Sequence, residues 1–290
     1  MPAPSHGHGG QRSVHASTCA ASGRHLDVPL PPGYRRRVVT EPELHRAVVL
    51  ALLALAVPTF AFLMWKTAPY GRHDRAGWGP TVPSRVGWIV MEHPAVIGFV
   101  AVFALGRYRA ELVPLLLLAL WQLHYVHRTF IFPFRIRATG KRMPLVVALT
   151  GALFNAANAY VNARWISHLG DYPAGWPTDP RFLAGVAVFA AGLVMNLHAD
   201  TVLLRLRAPG ETGYRIPRGG MYRWITSPNY LGEILEWCGW ALLTWSLAGA
   251  AFAVYTAANL APRALANHAW YRARFTDYPP DRRALVPFVL

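Results

Sequence analysis

The sequence predicts an all-α integral membrane protein with seven transmembrane helices. Three observations carry that prediction. Of the 290 residues, 53% are hydrophobic and only 15% charged, against about a quarter charged in an ordinary soluble domain. The apolar residues gather into runs close to the ~20 residues that cross a hydrocarbon core. The net charge of +15 is carried by arginines set between those runs rather than along one stripe, which favours a membrane over nucleic acid.

The elements follow in order. Residues 1–44 contain no apolar stretch of signal-peptide length. They read His6-Gly7-His8-Gly9-Gly10, then Ser, Ala and Pro, then a basic knot at Arg35-Arg36-Arg37, and are expected to form a mobile polar tail before a membrane domain over 45–290. The first span runs from Ala47 to Trp65 and includes Pro58. The second, Val86 to Leu105, contains Glu92-His93-Pro94. The third, from Leu112 to about Phe132, carries His124, Tyr125, His127 and Arg128. The fourth covers Leu145 to about Val161 with Asn155 and Asn158 inside it. The fifth, Phe182 to Leu204, contains Asn196, His198 and Asp200. A last apolar block, Tyr230 to about Leu260, is too long for one span, and Ser246-Leu247-Ala248-Gly249 offers the break that makes helices six and seven. Six spans is the nearest alternative.

Arginine placement sets the orientation. The loops after helices one, three and five, with the C-terminal tail, hold 18 Lys and Arg; the other connections and the N-terminal segment hold 10. The C-terminus is therefore expected in the cytoplasm and the N-terminus outside or in the lumen. Arginine outnumbers lysine 27 to 2, the mark of a GC-rich genome; a bacterial chain would sit in the inner membrane, a eukaryotic one in the endoplasmic reticulum. Cys19 and Cys238 make neither a disulfide framework nor a zinc cluster.

Ionisable groups within spans are costly, so each is a functional candidate. Glu92, Asp200, Glu233 and Glu236 are the acids at or near membrane depth. His124 and Arg128 share a face at i, i+4, while Tyr125 turns about 100° away from His124. Asn229, Glu233, Glu236 and Trp237 form one polar stripe on the sixth helix, and Asn196 and Asp200 repeat the i, i+4 spacing on the fifth. The loop between supplies Arg205, Arg207, Tyr214, Arg215 and Arg218, and the tail Arg263 and Tyr271. Carboxylates and amides suit ribose hydroxyls and carboxamides, arginines suit phosphates, and aromatic faces suit a base. This composite would take a large anionic nucleotide from the cytoplasmic side. An anionic lipid headgroup accounts for the arginines but gives no reason for the acids. No Gly-x-Gly-x-x-Gly turn follows a strand-like segment and there is no phosphate-binding Gly-x-x-x-x-Gly-Lys loop, so a dinucleotide must sit in a helical pocket. His124 and His127 lack a matching ligand set, and no metal site is expected.

Several segments resemble the steroid 5α-reductase family: Gly213-Tyr-Arg-Ile-Pro-Arg-Gly-Gly-Met, Asn229-Tyr-Leu-Gly-Glu-Ile-Leu-Glu-Trp, Phe275-Thr-Asp-Tyr-Pro-Pro and Arg283-Ala-Leu-Val-Pro-Phe. Pro69-Tyr-Gly-Arg-His, Leu123-His-Tyr-Val-His-Arg-Thr-Phe, Tyr172-Pro-Ala-Gly-Trp and Asn196-Leu-His-Ala-Asp extend the match, in the family's order, over roughly 65–290.

The resemblance implies a seven-helix 3-oxo-5α-steroid 4-dehydrogenase with a cytoplasm-facing pocket, reducing the Δ4 bond of a 3-oxo-Δ4 steroid or steroid-like enone with NADPH. It implies Tyr125 as the carbonyl-polarising tyrosine and Glu92 as its carboxyl partner. It implies Asn196, Asp200, Arg207, Tyr214, Asn229, Glu233, Trp237, Arg263 and Tyr271 as NADPH-holding positions. The chain departs from the family at Met91, often glutamine there, and at Asn267, which replaces a histidine. Membrane lipid is an expected partner; nucleic acid and a required protein partner are not. The alternatives are a membrane methyltransferase, whose C-terminal helices carry a similar Pro-Asn-Tyr-x-Gly-Glu segment, and a non-enzymatic sterol- or lipid-binding membrane protein.

Overall fold

The computed structural model describes residues 39–136, 140–206 and 213–290; the expected tail lies, up to residue 38, outside the described residues. The described chain is mostly helical. Five helices are long and apolar enough to cross a membrane: α1 (Glu41–Trp65), α2 (Ser84–Ala104), α3 (Leu112–Arg135), α4 (Leu145–Leu169) and α5 (Pro180–Arg205). Two more complete the bundle, α6 (Pro228–Thr244), of 17 residues, and α7 (Leu247–Arg274), whose second half is polar.

Helix boundaries follow local chemistry more than hydropathy. The first helix begins at Glu41, ahead of Ala47, because the Glu43 carboxylate accepts from the Thr40 backbone N–H at 2.9 Å and from its hydroxyl at 3.1 Å, satisfying the helix start. In α5, Pro180 follows Asp179, whose Oδ1 accepts from the Arg181 N–H at 2.8 Å. The α6–α7 break falls at the anticipated place: Trp245 takes φ 44°, and Ser246 caps α7 by accepting from the Gly249 N–H at 2.9 Å. Two helices outrun their apolar runs. The α4 helix continues past Val161 because its polar residues find partners inside the protein. Asn162 donates to Asn158 Oδ1 at 2.9 Å, and Trp240 donates to Asn162 Oδ1 at 2.8 Å. The α7 helix continues past Leu260 as far as Arg274 for the same reason: Asn267 and His268 bond to neighbouring segments.

Wide π-helical turns interrupt α2 at Pro94–Gly98 and α3 at His127–Ile131. Proline has no N–H, so the Val90 carbonyl loses its helical donor, and the His93 ring takes its place at 2.9 Å. Within that turn the Ala95 and Val96 carbonyls accept from Trp121 at 2.8 Å and Gln122 at 3.2 Å on α3. The Trp88 indole returns the link, donating to the Arg128 carbonyl at 3.0 Å. These bonds fix the register of α2 against α3, the helices that carry Glu92 and Tyr125.

The connections after α1, α3 and α5 are tied down by short β pairings. Strand β1 (Thr81–Pro83) pairs antiparallel with β2 (Arg142–Pro144), clipping the loop after α1 to the loop after α3. An isolated parallel bridge, Ile225 to Arg283, ties the loop after α5 to the C-terminal tail.

Helices α5 and α6 meet backbone to backbone along Gly185, Gly192, Gly232 and Gly239. A Cβ on Gly185 would lie 2.5 Å from the Leu243 nitrogen, and one on Gly232 would lie 2.6 Å from the Asn196 nitrogen. Small residues let membrane helices approach this closely, and the approach sets α5 and α6 side by side at the site. Gly185→Ala is expected to lower the melting temperature in detergent by the equivalent of about 1–3 kcal/mol. Gly175→Ala, where a Cβ meets nothing within 4 Å, leaves it unchanged. Equal melting temperatures for the two variants would contradict the tight seam.

Candidate active site

A cavity opens among α2, α3, α4, α5, α6 and α7, beneath the tied loops. Its inner part is lined by Met91 and Glu92 of α2, Tyr125 of α3, Gly151, Phe154 and Asn155 of α4, and Phe252 and Tyr255 of α7. Tyr125 sits about 15 Å along the helix from the loop-side end of α3, at 1.5 Å per residue. Its ring is 4% exposed and stacks on Trp237, with centroids 5.5 Å apart and planes at 29°. Trp121 packs on both, at 4.8 and 5.3 Å. Neighbours this bulky leave the ring one orientation. Glu92 is buried, and its Oε2 accepts from Asn155 Nδ2 at 3.1 Å; the same amide donates to the Met91 carbonyl at 2.8 Å. Among the described residues the carboxylate's hydrogen-bond partner is thus Asn155, and Tyr125 shares the cavity with it.

Further out lies a polar junction of three helices. Arg128 of α3 donates to Asp200 of α5 at 3.2 Å and faces Glu233 of α6 at 3.6 Å. Asn229 donates to the other oxygen of Asp200 at 3.1 Å. One turn inward, His124 Nδ1 meets Glu236 Oε1 at 2.9 Å. The i, i+4 pair His124 and Arg128 therefore presents one face to the acids of α5 and α6, leaving Tyr125 to face the cavity.

The loop-side part is cationic and aromatic. Arg72 lies over Tyr271 at 4.7 Å, Trp270 at 5.5 Å and Tyr214 at 5.9 Å, and its buried Nη1 has no hydrogen-bond partner among the described residues. Arg263 lies over Tyr70 at 4.5 Å and donates to the Tyr230 hydroxyl at 3.2 Å. Lys141 and Arg215 also line this part. Burial pushes the Tyr70 hydroxyl up to about 12 and pulls the His73 imidazole below its usual range, against the opposing pull of its hydrogen bond to Asn267. His73 Nε2 meets Asn267 Oδ1 at 3.0 Å, and Asn267 Nδ2 reaches Ser227 Oγ at 3.4 Å. Asn267 is thus a strut between the loop after α1 and the start of α6. Its neighbour His268 turns away to Thr226, at 2.6 Å.

Of the positions singled out from the sequence, Glu92, Tyr125, Asp200, Tyr214, Asn229, Glu233, Arg263 and Tyr271 line this one cavity. Asn196 and Trp237 stand behind the wall. Asn196 donates to the Asn229 carbonyl at 2.9 Å, and Trp237, 1% exposed, backs Tyr125. Arg207 lies outside the described residues. Arg218 lines a different pocket. Stripe-and-spacing reasoning assigns no role to Tyr70, Arg72, His73 or Asn155. The first three belong to a polar loop with no helical period. Asn155 reads as ordinary interhelical glue until Glu92 is seen beside it.

The sequence model of the 3-oxo-5-alpha-steroid 4-dehydrogenase family matches residues 141–290. The chain is 43% identical over 254 residues to Steroid 5-alpha-reductase DET2 of Solanum lycopersicum, covering 86% of this chain and 98% of that protein. It is 42% identical over 258 residues to the DET2 protein of Arabidopsis thaliana, covering 87% and 98%. Against human 3-oxo-5-alpha-steroid 4-dehydrogenase 1 the identity is 40% over 258 residues, covering 87% and 97%. Matches of this extent, over the segments that build the cavity, make the chain a member of the steroid 5α-reductase family.

Proposed function

We propose that this chain is an integral membrane reductase that uses NADPH to reduce the Δ4 double bond of 3-oxo-Δ4 steroids, giving 5α-reduced 3-oxo steroids. The observation that carries the reading is the division of one cavity into an apolar inner part holding Tyr125 and Glu92 and a cationic, aromatic outer part. The outer residues fit a dinucleotide phosphate: Arg72 has a buried N–H without a partner among the described residues, Arg263, Lys141 and Arg215 add positive charge, and Tyr214 and Tyr271 offer ring faces. Asp200, Asn229 and Glu233 are suited to ribose and carboxamide groups, with Asn196 and Trp237 supporting the wall, and Arg207 joins the phosphate-binding set. The bound cofactor supplies hydride.

Within the inner part, the Tyr125 hydroxyl donates to the C3 oxygen of the enone and stabilises the negative charge that grows there as C5 is reduced. Trp121 and Trp237 hold its ring so that no reorientation is needed. Glu92, held by Asn155, orients the hydroxyl. Phe154, Phe252 and Tyr255 surround the apolar substrate and exclude water, which strengthens the hydrogen bond at the oxygen. C4 is protonated afterwards.

In this reading α6 and α7 also span, giving seven crossings over 45–290 after the polar tail. The clipped loops, the tail and the cavity mouth then share the arginine-rich face, the cytoplasmic one by the positive-inside rule. The N-terminus lies outside. Purified protein is expected to oxidise NADPH only when a 3-oxo-Δ4 steroid is added, releasing the 5α product. Methyl transfer from S-adenosylmethionine without NADPH oxidation, or steroid binding without turnover, would overturn the proposal.

A further inference from the structure

A second pocket lies on the outer side of α5, apart from the cavity above. Its lower wall is apolar, formed by Ala191, Val194 and Met195 of α5. Its rim is basic: Arg218, Arg223 and Arg282, with His198 beside them. Among the described residues no carboxylate lines it. Asp277 meets Arg218 at 3.6 Å, both side chains 69% exposed, a pair that water screens.

Arg282 is the informative residue. It is 4% exposed, yet its Nε and Nη1 have no hydrogen-bond partner among the described residues. Its guanidinium lies 5.0 Å from the Tyr278 ring, which holds it by the aromatic face and leaves those N–H groups unspent. Buried guanidinium N–H groups without an acceptor are costly, and the arginine fork matches a phosphate's oxygens. Arg218 and Arg223 stand exposed on the same rim, where a phosphate on Arg282 would meet them.

We propose that this pocket binds the phosphate of an anionic membrane phospholipid. The apolar wall decides for lipid over a soluble phosphate. Val194 is 66% exposed and Leu183, on the same helix, 55%; in a spanning helix such a face meets acyl chains. Phosphate at the rim and chains along α5 place both parts of a lipid in their own surroundings, as basic pockets at a membrane face do. The pocket holds about 910 Å³, within the usual range for small-ligand sites. The turn Gly220–Arg223 separates it from the catalytic cavity: Gly220, Met221 and Arg223 face the lipid pocket and Tyr222 lines the cavity.

Native mass spectrometry of the full chain in detergent tests this with phosphatidylglycerol and phosphatidylcholine of matched chains. The wild type is expected to retain phosphatidylglycerol roughly tenfold better, and Arg218→Gln with Arg223→Gln to lose that preference. Arg107→Gln, an exposed arginine elsewhere on the protein, keeps it. Arg282→Gln also loses it; should that variant fail to fold, the exposed double variant decides. Equal retention of the two lipids, or a preference that survives the double substitution, overturns the proposal. Inorganic phosphate that binds and displaces phosphatidylglycerol overturns the lipid in favour of a soluble phosphate.

Discussion

Replacing Tyr125 with phenylalanine is expected to lower steroid-dependent NADPH oxidation by roughly 10²–10³-fold, the usual loss when one oxyanion donor is removed. The substitution deletes one oxygen and leaves the ring. The stack on Trp237 and the contact with Trp121 depend on the ring alone, so fold and melting temperature should hold. NADPH affinity should also hold, because Tyr125 lies in the inner part of the cavity, away from Arg72 and Arg263. The loss should therefore appear in kcat, since the hydrogen bond strengthens only as charge reaches the enone oxygen. Steady-state rates beside NADPH binding measured by fluorescence check this. A variant with normal kcat removes Tyr125 from the chemistry, whereas one that fails to bind NADPH shows the two parts of the cavity to be one.

The second large effect is structural. Arg128→Leu is expected to cost about 3–5 kcal/mol of stability and to abolish NADPH binding. Arg128, 12% exposed, meets Asp200, 5% exposed, and Glu233, 17% exposed. Removing the guanidinium leaves two largely buried acids without their shared cation, and breaking such a group from one side costs far more than it contributes when whole. Adding Asp200→Asn to Arg128→Leu removes one stranded charge and should restore part of the lost melting temperature without restoring binding. Thermal unfolding in detergent with and without NADPH reads both. A stable Arg128→Leu protein that still binds NADPH would show that this junction neither holds the helices nor shapes the cofactor's place.

Much of this was legible in the sequence because membranes impose simple rules. Long apolar runs mark α1 to α5, and a charge inside an apolar helix has a reason to be there, which is why Glu92, Asp200 and Glu233 stand out, whereas the role expected of Tyr125, an uncharged residue, comes from the family resemblance. Helical spacing correctly put His124 and Arg128 on one face and Tyr125 on another. The same rules undercount. The α4 and α7 helices extend beyond their apolar runs because Asn162, Asn267 and His268 find partners inside the protein, and a hydropathy window cannot see a satisfied polar group. Arg72 and His73 come from a loop, where no period announces which way a side chain faces. The separation of Trp237 from the cavity wall has another cause. It shares a stripe with Glu233 and Glu236, but a stripe gives a helix face and not the depth to which each residue is covered.

The central claim is that one cavity brings hydride and a polarised enone together. Its most direct test is isotopic. With NADPH deuterated at the reactive face of nicotinamide C4 and a 3-oxo-Δ4 steroid, the purified protein is expected to yield a 5α product carrying one deuterium, located at C5, with Tyr125→Phe giving the same product far more slowly. Deuterium at C4 of the steroid, deuterium appearing only in water, or an unreduced steroid recovered with methylation would contradict it.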